Sequence, residues 1–215
     1  MSKCIRFIFK KIIIGIECII ESVNPEITYY LQIKGGGHVE WRHTITGMQF
    51  QTVGIDYGSE VTDFSNGCVI DNCWIRDPDT AVNYGHNSWC TVITNTVIQR
   101  SIHGVHFDFQ KAAVNAGAHM VISNSQILGC SYGVYVKGTT VDGFNIMITN
   151  CDIEHSIYSV FTNNAGDGTI FWNGGHCELN TGGIAYMKGG SLWISNVWAL
   201  SYGSDTYDVL FNLLS

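Results

Sequence analysis

The chain has 215 residues, of which 24 are glycine and 13% are charged, and its formal net charge at pH 7 is −7. Few charges and many glycines exclude a disordered chain and a coiled coil, and favour a β-rich domain with many tight corners. With 11 Lys and Arg against 18 Asp and Glu, the chain lacks the basic surface that phosphate binding needs, so we expect no nucleic-acid partner.

The first thirty residues predict β-strands rather than a signal peptide. The segment "CIRFIF" from Cys4 alternates like a strand, and "IIIGIECII" from Ile12 is rich in β-branched residues. Lys10 and Lys11 interrupt the apolar stretch, and no small-residue cleavage site follows it. Because no apolar run reaches the length of a transmembrane helix, we expect no membrane insertion. Residues 1–30 are therefore interpreted as N-terminal strands or a cap.

A short motif, apolar-polar-Asn, recurs along the rest of the chain. Clear copies are "IDNCWI", "ITNTVI", "ISNSQI" and "ITNCDI", which begin at Ile70, Ile93, Ile122 and Ile148. Looser copies are "ITGMQF", "FWNGGH" and "ISNVWA". The seven register positions are Gly47, Asn72, Asn95, Asn124, Asn150, Asn173 and Asn196, spaced by 25, 23, 29, 26, 23 and 23 residues. A period in this range predicts a solenoid, in which each unit buries its apolar face against its neighbours.

A second strand pattern follows each register position and completes the repeat. Its copies are "GIDY", "AVNY", "GVHF", "GVYV", "SVFT" and "GIAY". Three short strands per period are typical of one coil of a parallel β-helix, with equivalent strands stacked at about 4.8 Å. We predict one all-β domain over residues 1–215, a single-stranded parallel β-helix of about seven or more coils, whose right-handed sense is implied by the family resemblance described below. Its regular coils span residues 31–202, and a C-terminal strand or cap spans residues 203–215.

The repeated Asn has a structural interpretation in this fold. An Asn can adopt left-handed backbone at a sharp corner, and its amide can pair with the Asn one coil above, so the sequence predicts an Asn ladder. The eight cysteines lack a C-x-x-C pair, and most lie within apolar alternation. Buried free thiols are therefore favoured over disulfides or a metal site, and we expect neither a metal nor a cofactor.

The segments "NSQILGCSYGVYV" from Asn124 and "NCDIEHSIYSVF" from Asn150 resemble coils of bacteriophage tailspikes. Over residues 30–200 the chain resembles the right-handed β-helix superfamily, which includes pectate lyases, polygalacturonases and tailspikes. The resemblance implies a protein of the virion tail or the extracellular space that binds or cuts a polysaccharide, and a homotrimer if it is tailspike-like. The polygalacturonase catalytic motifs are absent apart from a fragment, "YGHN" from Tyr84. Since no particle-binding head or trimerisation tail is recognisable, we expect one module of a larger spike.

The strand after each glycine predicts a sugar-binding row. Its inward positions are Ile55, Val82, Val105, Val134, Val160 and Ile184, and the outward positions between them are Asp56, Asn83, His106, Tyr135, Phe161 and Ala185. Aromatic faces pack on sugar rings, while amides and carboxylates bond to hydroxyls. Asn83, Tyr135 and Phe161 are thus candidate substrate-binding residues.

Corners beside this row supply candidate catalytic groups. These are Asp77, Asp79 and His103 before the strand and Asp108 after it, while Arg100 and His86 at the same corners are candidate substrate-binding residues. A glycoside hydrolase needs two carboxyls, which suggests Asp79 as general acid and Asp56 as base or nucleophile, with Asp77 as an alternative. A lyase would use His103 or His106 as base and Arg100 to neutralise a uronate. An ordinary solvated turn also explains "DPD".

The strand after each Asn offers a second surface. Trp74, a candidate substrate-binding residue, and Trp198 point outward on it, together with Asp152 and Glu154. The longest insert, Asp108 to His119, is expected to wall a groove. These features leave three hypotheses open: a polysaccharide-degrading enzyme with hydrolase preferred to lyase, a glycan-binding adhesin without catalysis, and a structural spike segment.

Overall fold

The computed structural model describes residues 3–7, 13–21, 29–33, 43–57, 64–109, 117–138, 143–163, 166–200 and 211–214. These ranges consist of strands and the corners between them. Within them there is no helix that could cross a membrane.

The strands form two large parallel sheets and one small one. The first sheet contains, in spatial order, β1 (Lys3–Phe7), β3 (Tyr29–Ile33), β5 (Val53–Tyr57), β9 (Thr80–Tyr84), β13 (His103–Asp108), β16 (Tyr132–Lys137), β19 (Tyr158–Asn163), β21 (Gly183–Lys188) and β23 (Phe211–Leu214). The second sheet contains β2 (Ile13–Glu21), β4 (Thr44–Gln51), β7 (Val69–Asp71), β8 (Trp74–Arg76), β11 (Val92–Thr94), β12 (Val97–Gln99), β14 (Met120–Ser123), β15 (Gln126–Leu128), β17 (Asn145–Thr149), β18 (Asp152–Glu154), β20 (Thr169–Glu178) and β22 (Ser191–Leu200). A small sheet pairs β6 (Phe64–Asn66) with β10 (Asn87–Trp89).

The second sheet bends around the repeated Asn positions, so each coil has three faces. Strands β7, β11, β14 and β17 precede the bend and form the pre-corner face, whereas β8, β12, β15 and β18 follow it and form the post-corner face. Strands β4, β20 and β22 run through both faces. The predicted all-β solenoid of stacked parallel strands is confirmed, with about six turns. The seven register positions predicted from the sequence bound six complete turns. The right-handed sense of the solenoid stays a prediction.

Stacked branched side chains form the core between the sheets. The column Ile45, Ile70, Ile93, Ile122 and Ile148 pairs strand to strand, and each member is at most 1% exposed. Burying each such side chain contributes about 1.5–3 kcal/mol. Aromatic rings stack inside as well, with centroid distances of 5.4 Å for both Tyr57–Tyr84 and Tyr84–Phe107. Like residues therefore pack on like residues along the axis.

The Asn corner turns through left-handed backbone, as the sequence predicts. Positive φ angles of 47° to 51° occur at Asn72, Asn95, Asn124 and Asn150. Each corner N–H donates to a carbonyl of the next coil, for example Asn124 N to Thr149 O at 3.0 Å. The fold therefore satisfies these corners through the main chain.

A continuous Asn ladder is not seen in the described part of the chain, where the amide–amide bond between register positions joins Asn196 Nδ2 to Asn173 Oδ1 at 2.9 Å, whereas Asn72, Asn95, Asn124 and Asn150 form none with one another. The four side chains are exposed, and no hydrogen bond joins their amides; Asn95 instead donates to Asp71 Oδ1 at 2.9 Å. The buried hydrogen bonds between coils are made by the residue that follows each Asn. Cys73 N donates to Thr96 Oγ1 at 3.3 Å, and Thr96 N donates to Ser125 Oγ at 3.2 Å. Short polar side chains thus fill the inside of the corner while the amides face outward.

Two register assignments from the sequence are wrong by one residue. Asn173 pairs with Thr149 and Ser195, so the corner residue of that coil is Gly174, whose φ is 76°. Likewise Phe161 pairs with Tyr186 rather than Ala185, which is fully buried. In both coils the strand pairing puts the equivalent residue one position later than the sequence motif does.

Cysteines mainly fill the interior. The six that the structure describes with their side chains are free, and all but Cys90 are buried. Burial raises the pKa of the Cys151 thiol to about 11, which keeps it protonated and unreactive at neutral pH.

We predict that Asn124→Ala lowers the free energy of unfolding by about 1 kcal/mol, because a Cβ-bearing residue without a local amide is strained at positive φ. Asn124→Gly serves as the matched control and should retain most of the stability, since glycine adopts this conformation freely. Urea denaturation of the three proteins tests this. Equal losses in both variants would show that the amide itself stabilises the corner.

Candidate functional site

The predicted site residues separate into several places. Asp77 and Arg100 lie at a second corner, Asp56, Asp79, Asn83, His103, His106, Tyr135 and Phe161 lie on or beside the first sheet, and Trp74 lies on the post-corner face. His86 lies two residues beyond the carboxyl end of β9, and Asp108 is the last residue of β13. The site residues predicted from the sequence therefore lie on separate surfaces of the solenoid: the second corner, the first sheet and the post-corner face.

Asp77 and Arg100 brace the second corner. Asp77 has a φ of 68°, and Arg100 in the next coil has a φ of 55°. The guanidinium grips the carboxylate at both oxygens, with Arg100 Nε to Asp77 Oδ1 at 2.7 Å and Arg100 Nη2 to Asp77 Oδ2 at 2.8 Å. Gln51 Nε2 also donates to Asp77 Oδ2 at 2.6 Å. Because the Asp77 carboxylate and the Arg100 guanidinium bind each other in this bidentate contact, neither is available to a substrate.

Asp56 and Asp79 differ in exposure and both influence Tyr30 of β3. Asp56 is only 8% exposed and accepts a hydrogen bond from Asn83 Nδ2 at 2.7 Å, while Asp79 is exposed at the preceding corner. Burial raises the pKa of the Tyr30 phenol, and the charges of Asp79 and Asp56 raise it further. Both carboxylates thus act electrostatically on this phenol, and Asn83 orients the inner one.

The aromatic row on the first sheet is a stack of rings whose faces cover one another. His103 lies 5.1 Å from His106 and 4.8 Å from Tyr135, and His106 lies 5.0 Å from Tyr135, with interplanar angles of 11° to 23°. Farther along the row, Phe161 and Tyr186 stack at 4.5 Å. Phe161, in contrast, is tilted by 59° to Tyr135, so the stack is interrupted there. The expectation that this row packs on sugar rings stays a prediction.

The two histidines are held neutral within this stack. Burial lowers the pKa of His106 to about 4, and the neighbouring charge of His103 contributes to the shift. Burial is also the main cause that lowers the pKa of His103. The Nε2 atom of His106 is buried without a hydrogen-bond partner, and His103 Nδ1 lies 3.2 Å from Thr80 Oγ1. An enclosed His106 ring is poorly placed to take a proton from a polymer.

His86 and Asp108 contact each other at the end of β13. The His86 ring is buried, and its Nδ1 lies 3.0 Å from the Asp108 carbonyl and 3.6 Å from Asp108 Oδ1. The insert predicted as a groove wall begins here, and its residues 110–116 lie outside the described residues.

Lowering the pH should destabilise the protein through His106. Because its pKa is depressed in the folded state, the unfolded chain takes up the proton first, so stability falls as the pH drops from about 6.5 towards about 4. The loss attributable to this ring is on the order of 3 kcal/mol. His106→Phe keeps a stacked ring and should show a correspondingly weaker acid dependence in urea denaturation. An unchanged difference between neutral and acidic pH would contradict this assignment.

An open groove of about 430 Å³ runs along the outside of the Asn corner. Its polar lining comes from Asn95, Asn124 and Asn150 at the corner, and from Gln126 and Asp152 at the start of the post-corner strands. Since equivalent residues stack one strand spacing apart, the groove repeats an amide at intervals of about 4.8 Å. We call this feature the corner groove.

Aromatic side chains stand at both ends of the corner groove. Trp74 pairs with Val97 on one side, and Trp198 follows His176 beyond Asp152 on the other. Trp74 is 36% exposed and is held by a hydrogen bond from its Nε1 to Gln99 Oε1 at 3.1 Å, with the Arg76 guanidinium 4.9 Å from its ring centre. The sequence correctly places Trp74 and Trp198 outward on one face.

Sequence reasoning missed the corner groove. The sequence predicts that the corner amides pair with one another from coil to coil, whereas the side chains of Asn72, Asn95, Asn124 and Asn150 face solvent. The available signal was the residue after each Asn: Cys73, Thr96, Ser125 and Cys151 are small enough to fill the corner from inside. That leaves the Asn side chain the outer position.

The second acidic site lies beside the groove. Ligand atoms of Asp152, Glu154 and His176 lie within 4.8 Å of one another, a spacing that could hold a metal ion. Burial raises the pKa of Glu154, and the nearby charges of Glu178 and Asp152 raise it further. The post-corner face is therefore acidic at this end.

Comparison with known proteins gives no relative. No protein-family model matches the chain, and neither the curated proteins nor the solved structures include a significant match. Inference about function therefore depends on the fold and on these side chains.

Proposed function

We propose that this β-solenoid is a glycan-binding module that holds an extended polysaccharide in the corner groove. The observation that carries the proposal is the row of outward amides of Asn95, Asn124 and Asn150 along one open groove. These amides do not bond to one another. Asn95 donates one N–H to Asp71 Oδ1, so the amides of Asn124 and Asn150, together with the remaining donor and acceptor of Asn95, can serve a ligand.

The shape and chemistry of the corner groove fit a linear sugar chain. Amides and carboxylates bond to sugar hydroxyls, and an open groove that spans three successive coils suits a linear polymer better than a compact small molecule. Trp74 and Trp198 add apolar surface at the two ends, where a sugar ring could pack. The net charge of −7 disfavours a nucleic acid in the same groove.

The resemblance to tailspike coils supports the same class of ligand. On this basis we propose a bacterial surface or capsular glycan as the ligand. The corresponding location is a virion tail or the extracellular space, with the chain acting as a module of a larger spike.

Replacing two groove amides should weaken binding without unfolding the protein. The double variant Asn124→Gly and Asn150→Gly removes the amides while keeping residues that tolerate positive φ. We expect the dissociation constant for the best linear polysaccharide in a panel of capsular and O-antigen glycans to rise at least tenfold, measured by biolayer interferometry.

Cys90→Gly is the matched control, because Cys90 is exposed with a φ of 51° but does not line the groove. It should bind like the wild-type protein. If the double variant binds as tightly as the wild-type protein, the glycan does not bind in the corner groove. Failure of the wild-type protein to bind any glycan in the panel would contradict the proposed function.

A glycoside hydrolase is the second candidate. The observation in its favour is that the charges of an exposed carboxyl, Asp79, and a buried one, Asp56, both raise the pKa of Tyr30. Carboxyls about 5 Å apart suit a retaining mechanism, and those about 6.5–9.5 Å apart suit an inverting one. Asp79 would act as general acid and Asp56 as its partner. The lyase alternative is less well supported, because the His106 ring is enclosed and Arg100 is bound to Asp77.

If the protein is a hydrolase, Asp79→Asn should reduce the release of reducing ends from a cleaved glycan at least a hundredfold, because an amide cannot donate the proton to the leaving group. Asp167→Asn, an exposed carboxyl remote in sequence from the first-sheet strands β5 and β9, is the control and should cleave normally. Cleavage that survives in Asp79→Asn would exclude this residue as the acid. Binding without any cleavage by the wild-type protein would leave the glycan-binding module.

A further inference from the structure

An exposed apolar stripe runs along the pre-corner face. Its members pair strand to strand in the order Val69, Val92, Val121, Met147, Phe171 and Trp193. The three larger side chains are 44%, 41% and 65% exposed, respectively. The three valines are half-buried, so the stripe is exposed mainly where Met147, Phe171 and Trp193 lie side by side. A cluster of exposed apolar side chains of this kind marks an interaction surface more often than an incidental one.

The surroundings of the apolar stripe carry almost no charge. The outward row beside it, between the stripe and the corner, consists of Thr46, Asp71, Thr94, Ser123, Thr149, Asn173 and Ser195. Within that row, Asp71 is the one charged side chain, and it accepts hydrogen bonds from Asn95 Nδ2 at 2.9 Å and Thr46 Oγ1 at 3.3 Å. The post-corner face, in contrast, carries Arg76, Asp152, Glu154 and Glu178.

Side-chain size changes steadily along the stripe. The end formed by β7, β11 and β14 presents valines, whereas the end formed by β17, β20 and β22 presents Met147, Phe171 and Trp193. Turning a second stripe end for end would place each large side chain of one copy against a valine of the other. The stripe is therefore complementary to itself under a two-fold rotation.

We propose that a second copy of this chain docks on the apolar stripe, with the two solenoid axes antiparallel. Three observations favour a copy over another partner. The size gradient is self-complementary, the spacing of about 4.8 Å between side chains is the same in both copies, and the interface of a two-fold dimer uses one patch twice.

Charge also favours this face for self-association. Each copy carries a net charge of −7, so two copies repel each other where acidic side chains meet. The nearly uncharged pre-corner face is where that repulsion is smallest while apolar area is buried. The row of Thr94, Ser123 and Thr149 separates the stripe from the corner groove, so docking leaves the proposed glycan site open.

Sedimentation equilibrium of the purified chain tests the proposal. We expect a monomer–dimer equilibrium for the wild-type protein, and a dissociation constant at least tenfold weaker for Trp193→Ser and for Phe171→Ser. Trp198→Ser is the matched control, because Trp198 is 52% exposed on the same strand but lies on the post-corner face. It should dimerise like the wild-type protein.

Cross-linking tests the antiparallel arrangement. In a Cys90→Ser background, which removes an exposed thiol, a mixture of the single variants Val92→Cys and Phe171→Cys should give a mixed disulfide dimer on mild oxidation. Each variant alone should cross-link poorly. A monomer at all concentrations, a trimer, unchanged dimerisation in Trp193→Ser, or cross-linking of each variant with itself would overturn the proposal.

Discussion

The left-handed corner is the constraint on which the rest of this solenoid depends. Each coil must change direction within one residue, and that residue adopts positive φ at both the Asn corner and the second corner. The corner N–H then donates to a carbonyl of the neighbouring coil, as Asn124 does to Thr149 and Arg100 to Leu128. Because each turn is tied to the next, a coil cannot shift without breaking main-chain bonds of its neighbours.

Stacking at one strand spacing converts a repeat in sequence into rows in space. Corner amides align as the corner groove, histidine and tyrosine rings align as a stack, and valines followed by larger side chains align as the apolar stripe. The rows differ in how much of each side chain the neighbouring residues leave accessible to a ligand or partner. Ring faces in the stack are covered by other rings, whereas the corner amides and Trp193 face solvent.

For the polar site residues predicted from the sequence, the hydrogen-bond and ion-pair partners seen in the structure decide whether a side chain is available to a ligand. Asp77 and Arg100 sit one coil apart, close enough to form a bidentate pair, and Asp56 lies beside Asn83 for the same reason. A sequence shows that such groups are near one another, but it does not show whether they bind each other or a ligand. That choice depends on rotamers and on which side of a corner each side chain occupies.

The amino-acid sequence by itself determined the all-β class, the parallel stacking and the inward columns, because a coil repeat and alternation leave few other ways to bury branched side chains. It also located the positive-φ corner at Asn72, Asn95, Asn124 and Asn150. Tertiary structure alone decided that Gly174 and Tyr186 occupy the register positions assigned to their neighbours, since coil lengths vary and the register between coils becomes visible only through strand pairing. It also decided that the Asn amides point outward, because packing inside the corner admits only the small residue that follows each Asn.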